Sequence, residues 1–589
     1  MGRRFDPDRA HHYNFAMTKA GFLESGLKYV VSTLVLVTLV ISPNMGSDPV
    51  NIVKLAVLFV GLALGVPLFI RSYLREEFKL DGISLATLSV IMIAGANAFL
   101  QSNQPKAEQF WGAWGRSSGL LYYALLLVLF LMGYALSQLS KTQKLIDGLL
   151  LLNVPFSIYA TLQVLGLDPI PWSRKEVFAT VGNTNFSSAM FAFLALQLVA
   201  RLLYRAEKNS VRSLIGALLL LDLFLMLKTL SVQGPLLFGI GIVIIFLIKI
   251  WHSGHLKALA LTAVISLISG VFVIMGILKR GPLSEIVYQE TLAFRVDYWR
   301  AGIRMIEASP LTGFGFDSYG DYYRQYRDLD AVLRTGPERT SNTAHNIFID
   351  IGVNAGLLTL LLTLLLFLRP LFLGTRNIIR KEMNQEFQVF IYVFIFVYFL
   401  QSLISINQVG VGVWGWFFLG ALSGITIDKL AKSARREELI SFTGKNANSY
   451  VQRESKAKKN VNPNSHLPAS QVLITFVIAL ISIPMALIPL VTDNRVLNAI
   501  RSLNAPTSES PTSLPLGGAL TTGQAELILN GLATLGDKRT TAYAESILAS
   551  NPRNIYAWRI LEDLGESEEI RSRASEMLKA LDPLNPNHK

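Results

Sequence analysis

Stretches of about twenty mostly apolar residues recur along the chain from Leu27 onward, and a segment of that length is what an α-helix needs to cross the hydrocarbon core of a bilayer. A chain dominated by such stretches is expected to be all-α, a polytopic integral membrane protein. Composition agrees. Of 589 residues 51% are hydrophobic and only 16% are charged, with mean hydropathy +0.41, whereas soluble domains carry about 25% charged residues. No cysteine occurs, so disulfides, thiol nucleophiles and thiolate metal sites are excluded together.

Thirteen spans are predicted, near 27–42, 51–70, 83–100, 119–137, 145–166, 186–203, 213–229, 235–250, 256–278, 346–368, 387–405, 409–427 and 470–491. Asp222, Lys228 and Gly234-Pro235 interrupt the pattern over 213–250, which sets the expected count at twelve or thirteen. The net charge of +13 is then a matter of topology. With the N-terminus cytoplasmic, the inner loops carry Arg71, Arg75, Lys79, Lys141, Lys144, Arg201, Arg205, Lys208, Arg212, Lys249, Lys257, Arg369, Arg376, Arg380 and Lys381. The outer short loops carry only Lys54, Lys106, Arg116, Arg174, Lys175 and Lys228. That asymmetry follows the positive-inside rule, and a nucleic-acid partner is not expected.

Residues 1–26, with Arg3, Arg4, Arg9 and His11-His12, form a cytoplasmic N-terminus with no cleavable signal pattern. A core over 27–428 contains an external loop, 279–344. It is followed by a basic cytoplasmic linker at 429–469, the last span at 470–491 and a tether at 492–522 that is rich in Ser, Thr and Pro. The external region 523–589 shows helical apolar spacing punctuated by Asn-Pro, as in AESILASNPRNIYAWRIL, and resembles a tetratricopeptide-type helix pair.

Chemistry concentrates in the outer loops. Of seven histidines only His345 falls on the outer side at a membrane boundary, with His588 in the terminal tail. An ordinary imidazole titrates near pH 6.5 and can take a proton from an attacking hydroxyl, while a helix-capping role is the plain alternative. Asn346 is placed to orient a polar substrate, and Asp350 follows about one turn later. Arg295, Arg300 and Arg304 lie at helical spacing, Arg295 sharing a face with Trp299. Guanidinium groups bind phosphate oxygens with paired hydrogen bonds and stay charged in a low-dielectric site, although lipid headgroups are an equally simple target for an amphipathic helix. WGAWGRSSGL contributes Arg116, and PWSRKEVFATVGNTNF contributes Arg174, Lys175, Asn183 and Asn185. Two roles fit the asparagines: donation to glycan hydroxyls, or capping of a helix start. The pattern Gly410-x-Gly412-x-x-Gly415 lies in an apolar span, where helix packing explains it better than a dinucleotide. Asp328-Leu329-Asp330 forms a DxD, a weak cation-site signal in so polar a loop.

Taken in order, WGRSSGL, GNTNF, the R-x-x-x-W stretch followed by SPLTGFGFDSY, and AHNIFIDIGVNAGLL resemble the O-antigen ligase and polymerase family of bacterial membrane glycosyltransferases, across about residues 100–370. The resemblance implies a glycan donor on undecaprenyl diphosphate, used at the outer face of the cytoplasmic membrane. It further implies transfer to an acceptor hydroxyl with inversion, without cofactor or obligatory metal. It assigns acceptor activation to His345 and the donor diphosphate to Arg295, and favours Arg116 and Arg174 over Lys175 as further donor contacts. Ser231-Val232-Gln233-Gly234-Pro235 departs from a Ser-Arg-Gly-like stretch of relatives, which puts a phosphate contact there in doubt. The acceptor is a lipid, a glycan or a protein, so a ligase, a polymerase of repeat units and a protein glycosyltransferase all fit. The external repeat offers a surface for a protein partner. A transporter or flippase is the rival of a different class and predicts charges lining a path through the membrane.

Overall fold

The computed structural model of the chain describes residues 26–43, 46–74, 78–138, 143–170, 172, 176–443, 469–504 and 514–588. Among them all regular structure is helical. The first ten helices are α1 (Gly26–Leu39), α2 (Asn51–Leu74), α3 (Gly82–Gln101), α4 (Lys106–Trp111), α5 (Leu120–Ser137), α6 (Gln143–Val164), α7 (Thr184–Tyr204), α8 (Asn209–Lys228), α9 (Gln233–Ser253) and α10 (Leu256–Ile277). An insertion follows, built from α11 (Ser284–Val287), α12 (Glu290–Ala308), α13 (Tyr319–Tyr326) and α14 (Leu329–Thr335). The bundle then resumes with α15 (Ile347–Ile379), α16 (Glu386–Ser402), α17 (Val409–Thr443) and α18 (Ala469–Asn504). Four helices close the chain: α19 (Thr522–Leu535), α20 (Thr540–Ser550), α21 (Ile555–Leu564) and α22 (Glu568–Leu581).

Eleven of these helices are long and apolar enough to cross a membrane, and α1 and α16 are shorter apolar helices. Every predicted span therefore corresponds to a helix, including the interrupted pair α8 and α9. Gly234-Pro235 falls in the first turn of α9, where a missing N–H costs no helical hydrogen bond. The most enclosed helix is α17, and α10 stands at the periphery with almost nothing buried. Close approach between α5 and α17 depends on small residues, because a Cβ on Gly133 would overlap the Phe417 carbonyl and one on Gly420 the Phe130 carbonyl. Gly412 and Gly415 likewise sit against Tyr122 and the Tyr398 ring, so the glycine pattern at 410–415 serves packing.

Two charges differ from their sequence reading. Lys54 is fully buried and donates to the carbonyls of Val37, Thr38 and Val40 at 3.0, 2.7 and 2.7 Å. It satisfies the open end of α1 instead of standing in an outer loop. Asp222 is buried inside the bundle, accepting from Asn153 Nδ2 at 2.7 Å and Ser157 Oγ at 3.0 Å. Its hydrogen-bond capacity goes into joining α6 to α8, which gives no support to a charged transport path.

The last two long helices overrun their predicted ends, α17 reaching Thr443 and α18 reaching Asn504, into the residues read as linker and tether. The end of α18 joins α19–α22 in a second apolar core through Val496, Ala499 and Leu503. Expectations for residues 1–25, Arg75, Lys141, Arg174, Lys175 and 444–468 lie outside the described residues.

Candidate functional site

The site grows from a break in α15. Ala355 and Gly356 leave helical geometry, Gly356 at φ +83°, and the carbonyls freed there are taken by the SPLTGFGF loop. Phe314 N donates to Val353 O at 2.8 Å, Gly315 N to Asn354 O at 3.1 Å, and Leu357 N returns to Pro310 O at 2.7 Å. A Cβ on Gly313 or on Gly356 would strike the opposing backbone. Two sequence motifs some forty residues apart are thus joined backbone to backbone.

The joint fixes two strained turns. Asp317 and His345 both sit at φ +52°, and Ser117 opposite them at +54°, in the left-handed region that costs a non-glycine residue of order 1–3 kcal/mol. The His345 turn is braced from several directions. Its own N–H donates to Thr343 Oγ1 at 2.7 Å, Ala344 N donates to Asp350 Oδ1 at 2.8 Å, and Asn346 Oδ1 caps α15 by accepting from Phe348 N and Ile349 N. Asp317 accepts from Ala113 N at 2.7 Å and Ser118 Oγ at 3.0 Å and pairs with Arg116 at 3.2 Å. Arg116 in turn donates to Asn342 O at 2.6 Å, so the WGRSSGL and His345 loops are cross-linked.

His345 stacks on Tyr298 of α12, the ring centroids 5.8 Å apart. Burial, then the nearby Arg295 and Arg116 cations, push its imidazole down from 6.5 to about 4. The sequence reading placed it near 6.5; in the folded protein the ring is neutral at pH 7. Arg295 is buried at 8% exposure, and among the described residues it has neither a carboxylate nor a hydrogen-bond partner. Desolvation lowers its pKa, but a guanidinium remains protonated. A buried, unneutralised cation beside a neutral imidazole is a site prepared for an anion.

Other expected residues go elsewhere. Arg300 and Arg304 are on the exposed face of α12, 3.6 and 3.7 Å from Asp328, and Arg300 also faces Asp330 at 4.0 Å. Asp328 further caps α14 by accepting from Ala331 N. The DxD is therefore held by arginines, and Arg300 is a surface partner, not a companion of Arg295. Trp299 packs beside the core of the insertion, its Nε1 buried without an acceptor. Asn183 caps α7 by accepting from Asn185 N at 2.8 Å, so the capping role describes it, whereas Asn185 Oδ1 accepts from Ser231 Oγ at 2.7 Å and ties α7 to the turn before α9. The Ser231–Pro235 stretch seals against α7, Gly234 N donating to Ser188 Oγ at 3.1 Å. His588 is buried at the terminal turn beside Asn585. Among the described residues no group of three or more His, Asp or Glu is arranged to hold a metal ion.

Tyr298 and Asp317 were not singled out in the sequence. Tyr298 stands next to Trp299 in the same motif, and Asp317 is the only acid in SPLTGFGFDSY, which was the available signal.

Residues 215–364 match the family model described as O-antigen ligase. The match includes Arg295, Tyr298, Asp317, His345 and Asp350 and stops short of Arg116 and Asn183 on one side and of the C-terminal helices on the other. No curated protein and no solved structure gives a match. Over the matched segment the chain is O-antigen-ligase-like, and this similarity supports a membrane enzyme of glycan transfer that handles lipid-linked glycans.

Proposed function

We propose that this protein is an inverting, metal-independent membrane glycosyltransferase of the ligase type, moving a glycan from undecaprenyl diphosphate to an acceptor hydroxyl. The observation that carries the reading is Arg295, buried and unneutralised beside the neutral ring of His345. The acceptor oxygen forms a new bond to the anomeric carbon on the face opposite the diphosphate. The old carbon–oxygen bond breaks, and its electron pair leaves on the diphosphate. Arg295, with Arg116 behind it, meets the growing negative charge, and a ring nitrogen of His345 takes the acceptor's proton. The imidazolium so formed is pressed by two cations and gives the proton up readily. Tyr298 and Asp350 act as positioning residues for the ring and its turn.

The charge asymmetry of the loops supports an N-terminus in the cytoplasm of a bacterial cell and a site on the outer face of the inner membrane. On this reading α19–α22 are a tetratricopeptide-type module beside the site.

The test compares carrier-linked and acceptor-linked glycans by mass spectrometry in cells with wild type, a deletion or His345→Ala. Long glycan accumulating on the carrier in both mutants is the expected result. Single repeat units accumulating instead identify a polymerase, and unchanged pools with normally inserted protein overturn the reading.

A further inference from the structure

Bordering Arg116 lies a cavity of about 410 Å³, within the range of about 300–1,000 Å³ usual for small-ligand sites. Its walls include Asp48, Asn51, Arg116 and Asn407 together with the indoles of Trp114 and Trp172. Three polar atoms on these lining residues are buried without a partner, Asp48 Oδ2, Asn407 Nδ2 and Arg116 Nε, and a fourth, Arg116 Nη2, makes no hydrogen bond but pairs with Asp317. Each belongs to a group otherwise engaged. Asp48 Oδ1 accepts from Val50 N and Asn51 N at 3.0 Å. Asn407 Oδ1 accepts from the hydroxyls of Tyr122 and Tyr398 at 3.4 Å. Arg116 Nη1 is held by Asn342 O. Asp48 and Asn407 are 5% and 6% exposed, and buried polar atoms of this kind normally find a partner.

The two indoles are fixed. Trp114 Nε1 donates to Ser47 Oγ at 3.0 Å, Ser47 donates to Asp493 of α18, and Gly523 at the start of α19 lies against the Trp114 Cβ. Trp172 Nε1 donates to the Tyr159 hydroxyl at 3.0 Å and its ring meets Phe178 edge-on. The residues lining the cavity thus carry one unpartnered acceptor, two unpartnered donors and two fixed indoles. An anion alone would be repelled by Asp48, and a hydrocarbon tail would leave all three polar atoms unpaired. A sugar ring matches: it has an apolar face for an indole and in-plane hydroxyls that both donate and accept.

We propose that this cavity binds the sugar unit attached to the donor diphosphate, with Arg116 standing at the junction between glycan and diphosphate. The assignment rests on the donor reading above and adds the residues that would select one glycan over another.

The experiment uses full-length protein in lipid nanodiscs and two probes, undecaprenyl diphosphate without sugar and the glycan-bearing carrier lipid extracted from cells lacking the protein. Wild type is expected to bind the glycan-bearing carrier at least tenfold more tightly than the bare one. Asp48→Asn and Trp172→Ala reduce that advantage to threefold or less while bare-carrier binding stays unchanged, and Arg295→Ala weakens both probes alike. Equal binding of the two probes by wild type overturns the sugar site and leaves the donor reading intact, as does an advantage that survives in both cavity variants. Loss of both probes together in the cavity variants also overturns it, since the cavity would then serve the diphosphate or the fold. Failure of wild type to bind either probe overturns the donor reading itself.

Discussion

A histidine with pKa about 4 is a weaker base than a free imidazole, yet at pH 7 almost all of it is in the form that accepts a proton. The sign of the pH dependence follows. Protonation removes the base only as pH falls through about 4, so kcat/KM for transfer is expected to be flat down to about pH 5, without the acid limb near 6.5 that an unperturbed histidine gives. Arg116→Gln removes one of the two cations while burial, the larger cause, persists. Its acid limb is expected to move upward but stop below 6.5, read from the pH profile of residual activity; an unmoved limb refutes the coupling. Arg295→Lys keeps the charge and loses the fork, and is expected to lower kcat/KM at least tenfold, about 1.4 kcal/mol in barrier. His345 was legible because topology puts the other internal histidines elsewhere. Its depressed pKa was not, since desolvation and a cation from the distant WGRSSGL loop arise only on folding.

Element by element, apolar run length located every spanning helix, because a bilayer sets that length physically. It missed the break in α15. Asn354, Ala355 and Leu357 are all compatible with a helix, and the interruption is held by hydrogen bonds from Phe314 and Gly315 and by Leu357 to Pro310, partners that no local window contains. The same blindness explains the overrun of α18, whose polar continuation is helical because Val496, Ala499 and Leu503 bury against α19–α22. Gly356→Ala tests the break directly. A methyl there is strained at φ +83° and collides with the carbonyls of Pro310 and Leu311, so a loss of about 1–3 kcal/mol is expected, measured as a lowered Tm accompanied by loss of transfer. A Tm equal to wild type would mean that the joint is not rigid.

Across the whole molecule, the most buried of the contacts that tie the C-terminal helices to the insertion is made by Asp582. Fully buried, it meets Arg324 at 2.9 Å and Arg327 at 2.6 Å, both on or next to α13. The same helix supplies Tyr319 and Tyr323 to the cluster around Tyr298. The helical periodicity of 523–580 was visible in the sequence, whereas its docking was not, because the partners of Asp582 lie in another segment. Asp582→Ala strands two buried guanidiniums and is expected to cost about 3 kcal/mol or more. Glu338→Gln breaks a pair at a half-exposed carboxylate and is expected to cost less than about 1 kcal/mol; thermal unfolding of the two variants checks the contrast. Chain order gives the clamp a further meaning. A ribosome makes Arg324 and Arg327 long before Asp582, so for much of its synthesis the protein carries two guanidiniums whose shared carboxylate does not yet exist. The clamp between the insertion and the C-terminal helices therefore closes last, and a product released early would reach the membrane with every span made and that clamp open.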